Sequence, residues 1–456
     1  MPKDRTRDMT VGAPMPILLS FILPLLLGLL FQQFYAMVDT VVVGNFLGME
    51  ALAGVGSTGS INFLVLGLCN GVCAGFAIPV AQKFGEKDFD GLRNFVGNMI
   101  WLGGIIALVV TAVTTIGCRA ILTAMNTPES TFSYAYDYIF LIFLGIPATM
   151  LYNLLSGILR SLGDSRTPLM FLVFSSLLNV ALDIVCVVTL QMGVAGAGWA
   201  TLISQLISGL LCLLYMDRKF PILHLKRENL VWRGHCVRRL LIMGLPMGLQ
   251  YSITAIGSIL LQTAVNGLGA VSMAAVAASG KVTGLFASPY DAMGTMAATY
   301  AGQNLGAGKL DRVHHGVKDC CILGVAYSLA ALVVMYFLGA QMTALFLDSK
   351  DVASSAQILP LARQLLVTNA AFYIPLLGVN LFRFTIQGLG YSNLAVIAGV
   401  SEMIARGAVA ALVSVFGFTA VCYASPAAWV LADCFLLPAY FVCMKRRTKE
   451  AAAARE

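Results

Sequence analysis

A chain of 456 residues with 59% hydrophobic and 11% charged residues departs from a soluble domain, which carries roughly 45–50% and 25%. Its mean hydropathy of +0.84, with 44 Gly and 20 Met, suits long apolar helices packed through small residues. At roughly 20 apolar residues per span the length holds about twelve spans and excludes a large soluble domain. The net charge of +7 does not point to nucleic acid, because Lys and Arg fall between apolar runs rather than on a soluble face.

The opening residues MPKDRTRDMTVGAP are charged and polar, and the apolar run behind them is too long for a signal-peptide core and lacks a cleavage pattern. The first span is therefore expected to stay in the protein. Apolar runs follow at 16–47, 52–82, 95–117, 132–159, 168–190 and 194–216, then at 240–266, 272–304, 317–339, 357–387, 393–416 and 422–444. Membrane strands would be short and alternating, and these runs are continuous, which predicts an all-α polytopic membrane protein of about twelve transmembrane helices. The 11 Cys, with no CxxC and no Cys/His spacing for zinc, read as small packing residues in a reduced chain.

The polar stretch 217–239 reads as a cytoplasmic linker between an N-terminal lobe, 1–216, and a C-terminal lobe, 240–456, of six spans each. The halves can be laid over one another. Asn45-Phe46-Leu47-Gly48 matches Asn266-Gly267-Leu268-Gly269, and Gln82, Gly85 and Asp90 match Gln303, Gly306 and Asp311, all at an offset of 221. Pro24 pairs with Pro246 one residue off that register, Pro147 matches Pro375, and Ser161-Leu162-Gly163-Asp164-Ser165 matches Gly388-Leu389-Gly390-Tyr391-Ser392. Six spans per half is an even number, so both copies enter the membrane from the same side. The expectation is two six-helix lobes related by an internal repeat around a central cavity, the plan of an alternating-access transporter. Of the 29 Lys and Arg, 22 lie in one set of alternate connections, including Lys3, Arg5 and Arg455, and only Arg119 and Lys350 in the other. The positive-inside rule then puts both termini in the cytoplasm of a multi-pass plasma (inner) membrane protein, with a monomer expected.

At this level of detail the chain resembles the multidrug and toxic compound extrusion (MATE) family of secondary transporters. The resemblance covers nearly the whole chain and is carried by Pro24, Gln32-Gln33-Phe34-Tyr35, Val38-Asp39 with Gly44, and Leu52-Ala53-Gly54. Arg160-Ser161-Leu162-Gly163-Asp164, Gly302-Gln303-Asn304-Leu305-Gly306-Ala307-Gly308 and Gln387-Gly388-Leu389-Gly390-Tyr391-Ser392 complete it. It implies a twelve-helix, two-lobe antiporter that exports organic compounds, driven by inward flow of Na+ or H+ and needing no cofactor. Within it, Asp39 with Asn179 and Asp183 looks like the N-lobe cation site of the DinF-like branch, which makes Na+ at these three residues an expectation. Members of the other bacterial branch carry a carboxylate in the seventh span, whereas 240–266 here has no acid.

An ionised carboxylate in hydrocarbon costs several kcal/mol unless paired, hydrated or protonated, so Asp39, Asp183, Asp291, Glu402 and Asp433 mark candidate sites. Asp39 lies about eight residues below the outer end of its span, ~12 Å, and Asp183 and Thr201 lie ~11 Å down theirs. Three oxygen-bearing side chains thus share one level. Asn179 is four residues from Asp183, and Tyr35 four from Asp39, so each lies on its acid's face one helical turn away, as Gln205 does below Thr201. Two carboxylates with amide and hydroxyl oxygens suit a hard cation, or let one acid hold a proton while its neighbour stays charged. Pro24 leaves a backbone carbonyl unpaired and permits a kink in the first span, the hinge that occupancy of the acids would act on.

In the second half Glu402 and Arg406 form an i,i+4 pair with Asp433 at about the same depth, a neutralising triad by expectation. Gln32, Asn153, Gln205, Asp291 and Lys281 are candidates to face a substrate cavity, with Asp291 and Lys281 ~15 Å apart along one helix. Gly54-Val55-Gly56-Ser57-Thr58-Gly59 matches GxGxxG but opens a span after no soluble strand, so it reads as helix packing. His314-His315 reads as a solvated cytoplasmic connection. The leading reading is a cation-coupled exporter of cationic or amphipathic compounds whose partners are small organic molecules and the bilayer, not nucleic acid. A lipid-linked glycan flippase, an ion channel and an intramembrane enzyme are the alternatives, and the chain carries neither HExxH nor GxSxG.

Overall fold

The computed structural model describes residues 6–125, 127–347 and 352–453, so Lys3, Arg5, Lys350 and Arg455 of the orientation count lie outside the described residues. Every regular element among the described residues is helical. The first half holds α1 (Pro14–Leu47), α2 (Met49–Ser57), α3 (Gly59–Gly85), α4 (Phe89–Ala124), α5 (Glu129–Leu144), α6 (Ile146–Ser161), α7 (Arg166–Asp183) and α8 (Val194–Lys219). The second half holds α9 (Gly234–Asn266), α10 (Ala270–Gly306), α11 (Leu310–Ala344), α12 (Val352–Ala371), α13 (Tyr373–Gly388), α14 (Ser392–Phe416) and α15 (Phe418–Ala453). Among the described residues ten helical spans are long and apolar enough to cross a membrane, and the number is twelve if two bent pairs, α5 with α6 at 45° and α12 with α13 at 52°, each count as one span. Both breaks precede a proline in the first turn of the second helix, Pro147 and Pro375. A first-turn residue needs no intrahelical N–H partner, so the chain can restart there at a new angle.

The repeat is written into the backbone. Gly48 and Gly269 have φ of 87° and 90°, Lys87 and Gly308 have 60° and 69°, and Gly163 and Gly390 have 81° and 93°, so matched turns share the left-handed region. At Gly163 space as well as φ demands glycine, since a Cβ there would lie 2.1 Å from the Arg7 carbonyl oxygen.

The chain divides into two compact units, one of Met1–Val11 with Leu23–Gly248, the other of Gly12–Ile22 with Leu249–Glu456. The boundary between these units falls inside α1 and α9. α1 changes unit beside Pro24 and α9 changes unit beside Pro246, so repeat-related helices each give their leading segment to the other unit. Within the first unit the leading segment of α9 is held by small residues. A Cβ on Gly71 would meet the Met247 oxygen at 2.5 Å and one on Gly75 the Met243 oxygen at 2.6 Å, and Gly244 and Gly248 face the same crossing. Two glycine pairs at four-residue spacing let the backbones of α3 and α9 touch, the close approach by which membrane helices associate.

The 217–239 stretch is docked on α4. Trp101 Nε1 donates to the Leu230 oxygen at 2.9 Å, Asn229 Nδ2 to Asn94 Oδ1 at 2.9 Å, and the Arg233 N–H to Asn98 Oδ1 at 2.9 Å. Gly97 makes room for it, as a Cβ there would stand 2.1 Å from the Asn229 oxygen. His314 and His315 lie on α11 rather than in a connection. His314 Nδ1 is 3.2 Å from the Tyr440 hydroxyl over a stacked ring, and His315 Nδ1 is 2.8 Å from the Asp311 oxygen, so the helix and a neighbouring side chain account for both.

Candidate functional site

The acid pair belongs to the first unit. Asp183 closes α7, and the chain then runs as a π-helix over Ile184–Thr189, seen in Leu190 N–H donating to the Val185 oxygen at 2.8 Å. A widened turn of this kind often marks a functional position in a helix. Asp183 is 0% exposed, and neither of its carboxylate oxygens has a hydrogen-bond partner among the described residues. Asp39, on α1, lies close enough to Asp183 for each to act on the other's charge. Its Oδ2 accepts from the Tyr138 hydroxyl at 3.5 Å, longer than a well-formed bond, and its Oδ1 has no partner.

Asn179 is buried one turn before Asp183, with Nδ2 donating to Thr201 Oγ1 at 3.4 Å and Oδ1 free of partners. The expected group of Asp39, Asn179, Asp183 and Thr201 is therefore brought together. Tyr35 stands beside Asp39, and its hydroxyl is reached by Gln32. Four buried oxygens without partners, on Asp39, Asn179 and Asp183, are the donor set a hard cation takes, and no Lys or Arg forms an ion pair with either acid among the described residues. No group of three His, Cys, Asp or Glu able to hold a metal occurs among the described residues. Carboxylate and amide oxygens of this kind are ligands for hard cations, whereas imidazole and thiolate ligands favour transition metals.

The candidates for a substrate cavity are dispersed. Asn153 Nδ2 donates to Asn70 Oδ1 at 2.8 Å and to the Thr149 oxygen at 2.9 Å, and Gln205 is half-buried on α8. In the second unit Asp291 and Lys281 are both exposed on α10 and make no ion pair with each other. Asp291 instead lies within the field of Arg383.

The second unit's charge network differs from the expected triad in one member. Glu402, 3% exposed, accepts from Arg406 Nη2 at 3.3 Å and, in a short contact, from Arg383 Nη2 on α13. Asp433 stands outside that ion pairing. Its carboxylate packs on Gly378, where a Cβ would fall 2.2 Å from Oδ2, and its Oδ1 has no partner. The third member is Arg383 because α13 and α14 face each other at Glu402, a contact that depth along single helices does not encode. Beside it Gln387 Nε2 donates to Gln250 Oε1 at 2.7 Å, both side chains buried.

A family model described as MatE matches residues 24–185 and 246–418. The chain belongs to the MatE family. The two matched stretches begin at the two helix prolines, Pro24 and Pro246. The chain is similar to the probable multidrug resistance protein YpnP of Bacillus subtilis (strain 168), at 28% identity over 383 residues, 84% of this chain and 83% of that one. It is also similar to the probable multidrug resistance protein YoeA of the same organism, at 27% identity over 338 residues and 73% of each chain. A crystal structure of MATE in complex with MaL6 shares the fold, with a TM-score of 0.91 at 20% identity over 98% of this chain and 100% of that one. MatE proteins are multi-pass membrane transporters, not enzymes, which removes the intramembrane-enzyme alternative.

In this MatE chain three residues escaped the sequence reading of the sites. Tyr138 reaches Asp39 from 99 residues away, Asn70 reaches Asn153 from 83, and Arg383 reaches Glu402 from 19. An intramembrane Arg must find an acid, which is the signal that would have joined Arg383 to Glu402.

Proposed function

We propose that the chain exports organic compounds, cationic or amphipathic in character, in exchange for Na+ or H+ at the Asp39–Asp183 pair. The observation that carries this is Asp183, fully buried with both oxygens unpartnered and a second carboxyl beside it. Two adjacent acids cannot both stay charged in a low-dielectric setting without a counter-ion, so the pair takes up a cation or a proton. Asn179 supplies a further oxygen, Thr201 orients Asn179, and Tyr138 donates to Asp39 with Tyr35 beside it. The names of the Bacillus relatives, probable multidrug resistance proteins, support the substrate class.

Occupancy would act through α1. Pro24 interrupts the hydrogen-bond ladder of the helix that carries Asp39, and the helix changes compact unit between Ile22 and Leu23. Neutralising Asp39 alters what its helix can pack against, and bending at Pro24 couples that change to alternation between inward and outward access. In this scheme the lobes are 1–216 and 240–456, both termini are cytoplasmic in the plasma membrane, and one chain suffices for transport. Asp291, Lys281, Gln32, Asn153 and Gln205 are proposed to meet the substrate, and Glu402, Arg406 and Asp433 to stiffen the second lobe.

The experiment is efflux of a cationic dye from liposomes under an imposed Na+ or H+ gradient, applied separately. One gradient should drive efflux in the wild type, and Asp39→Asn should abolish it while the protein stays folded in the membrane. Transport indifferent to both gradients, or unchanged in Asp39→Asn, overturns the reading.

A further inference from the structure

The 217–239 connection lies on a stripe of α4 that continues as a lipid-facing surface. Asn94, Asn98 and Trp101 recur at spacings of four and three residues, so they share one face of α4, and each bonds to the connection. The next positions on that face, Ile105 and Leu108, are 47% and 66% exposed. On a helix long and apolar enough to cross a membrane, such a row faces hydrocarbon. The connection therefore takes the place of lipid over the first turns of the stripe and turns its own outer side to lipid.

Charge and backbone pairing give the level. α4 carries no charged residue between Arg93 and Arg119. That stretch is ~37 Å long against ~30 Å of hydrocarbon, and Trp101 stands ~12 Å inside it, at the edge of the acyl chains rather than in bulk water. The peptide groups beside it are paired accordingly. The Leu230 oxygen accepts from Trp101 Nε1 at 2.9 Å, the Val231 oxygen from Asn98 Nδ2 at 3.3 Å, and the Arg233 N–H donates to Asn98 Oδ1 at 2.9 Å. Asn98 is buried and gives both ends of its amide to the connection. Backbone at the boundary of hydrocarbon needs such partners, because water is scarce there.

The outer side is apolar. Leu230, Val231 and Trp232 are consecutive and 36%, 57% and 52% exposed, although their backbone is held on α4. Three adjacent exposed apolar side chains suit a loop in water poorly and a membrane boundary well. Trp is the side chain enriched at that boundary, where its ring meets acyl chains and its N–H meets polar groups.

We propose that the 217–239 connection is an interfacial membrane anchor, with Val231 and Trp232 inserted among the acyl chains of the leaflet on its side and Asn94, Asn98 and Trp101 carrying its backbone. Lipid, and not a second copy or a soluble partner, covers this surface, because the surface continues the lipid-facing stripe of Ile105 and Leu108. The whole connection belongs to the first unit, so the anchor pins it to α4. The inference is independent of which ion drives transport.

Tryptophan fluorescence of the full chain in phosphatidylcholine vesicles tests it, with bromine placed near the carboxyl end or near the methyl end of the acyl chains and iodide added to the water. The Trp232 signal is the difference between wild type and Trp232→Phe, a change that keeps a ring at an exposed position. That signal should be quenched several-fold more by bromine near the carboxyl end than near the methyl end, and hardly by iodide. Val231→Glu should cut the lipid quenching several-fold and open Trp232 to iodide, with an unchanged circular dichroism spectrum. Quenching of wild type by iodide alone puts the connection in water, and quenching by neither agent puts protein over it; each overturns the anchor. Lipid quenching unaltered in Val231→Glu overturns it as well.

Discussion

In the first unit Asp183 is fully buried with no partner on either oxygen and only another acid nearby, whereas in the second Glu402, 3% exposed, is clamped between Arg383 and Arg406. At the repeat offsets of 221 and 227, Asp39, Asn179 and Asp183 correspond to Leu260, Arg406 and Ala410. The turns were kept in both copies, as the matched positive φ angles of Gly48 and Gly269 and of Gly163 and Gly390 show, but the buried charges were not. Turns are constrained by the backbone path both units must follow, and side-chain charge at helix level is not. A duplicated scaffold can therefore close its charge in one copy and leave it open to a mobile cation in the other.

The strongest way to break this contrast is Asp183→Asn. Gradient-driven dye efflux from liposomes should disappear, while the melting temperature in detergent stays level or rises, because an unpaired buried carboxylate contributes no stability. A destabilised but active protein would show that Asp183 is structural and the two units alike. Glu402→Gln should do the reverse, lowering stability by about 3–5 kcal/mol, because Arg383 and Arg406 both lose the buried carboxylate they donate to. Thermal melting measures it, and Arg383→Met in the same chain should recover part of the loss.

Smaller effects sharpen the comparison at the level of packing and caps. Gly71→Leu should cost about 1–3 kcal/mol by pushing on the Met247 backbone, read as a lower melting temperature. At the start of α4 Asp88 Oδ1 accepts from the Gly91 N–H at 2.8 Å, and the equivalent residue before α11 is Lys309, which makes no such cap. Asp88→Ala should cost about 1 kcal/mol, and Lys309→Asp should stabilise the second unit by a similar or smaller amount. The Gly91 N–H, and after it Lys83, hold the Asp88 carboxyl below the usual carboxylate range. Its contribution is therefore fully present above the unfolded value of about 3.9 and is lost as pH falls through the lower folded value. An acid-side melting series on wild type and Asp88→Ala should converge there.

The twelve spans, the repeat with its matched Pro147 and Pro375, and the buried acids were legible in the sequence, because each is stated within one helix length or by matching two stretches, whereas the bends of 45° and 52° beside those prolines were not. A window of about 20 apolar residues defines a span wherever it lies, and a carboxylate inside it is conspicuous for its cost. Tyr138 beside Asp39, Arg383 on Glu402, the linker docked along α4 and the change of unit inside α1 and α9 were decided only by the tertiary structure. Each joins side chains or backbone that helix periodicity places on a face without naming what that face meets. Asp39 and Asp183 stand 144 positions apart, and their meeting depends on how α1 and α7 pack, which small residues and shape determine and local spacing does not.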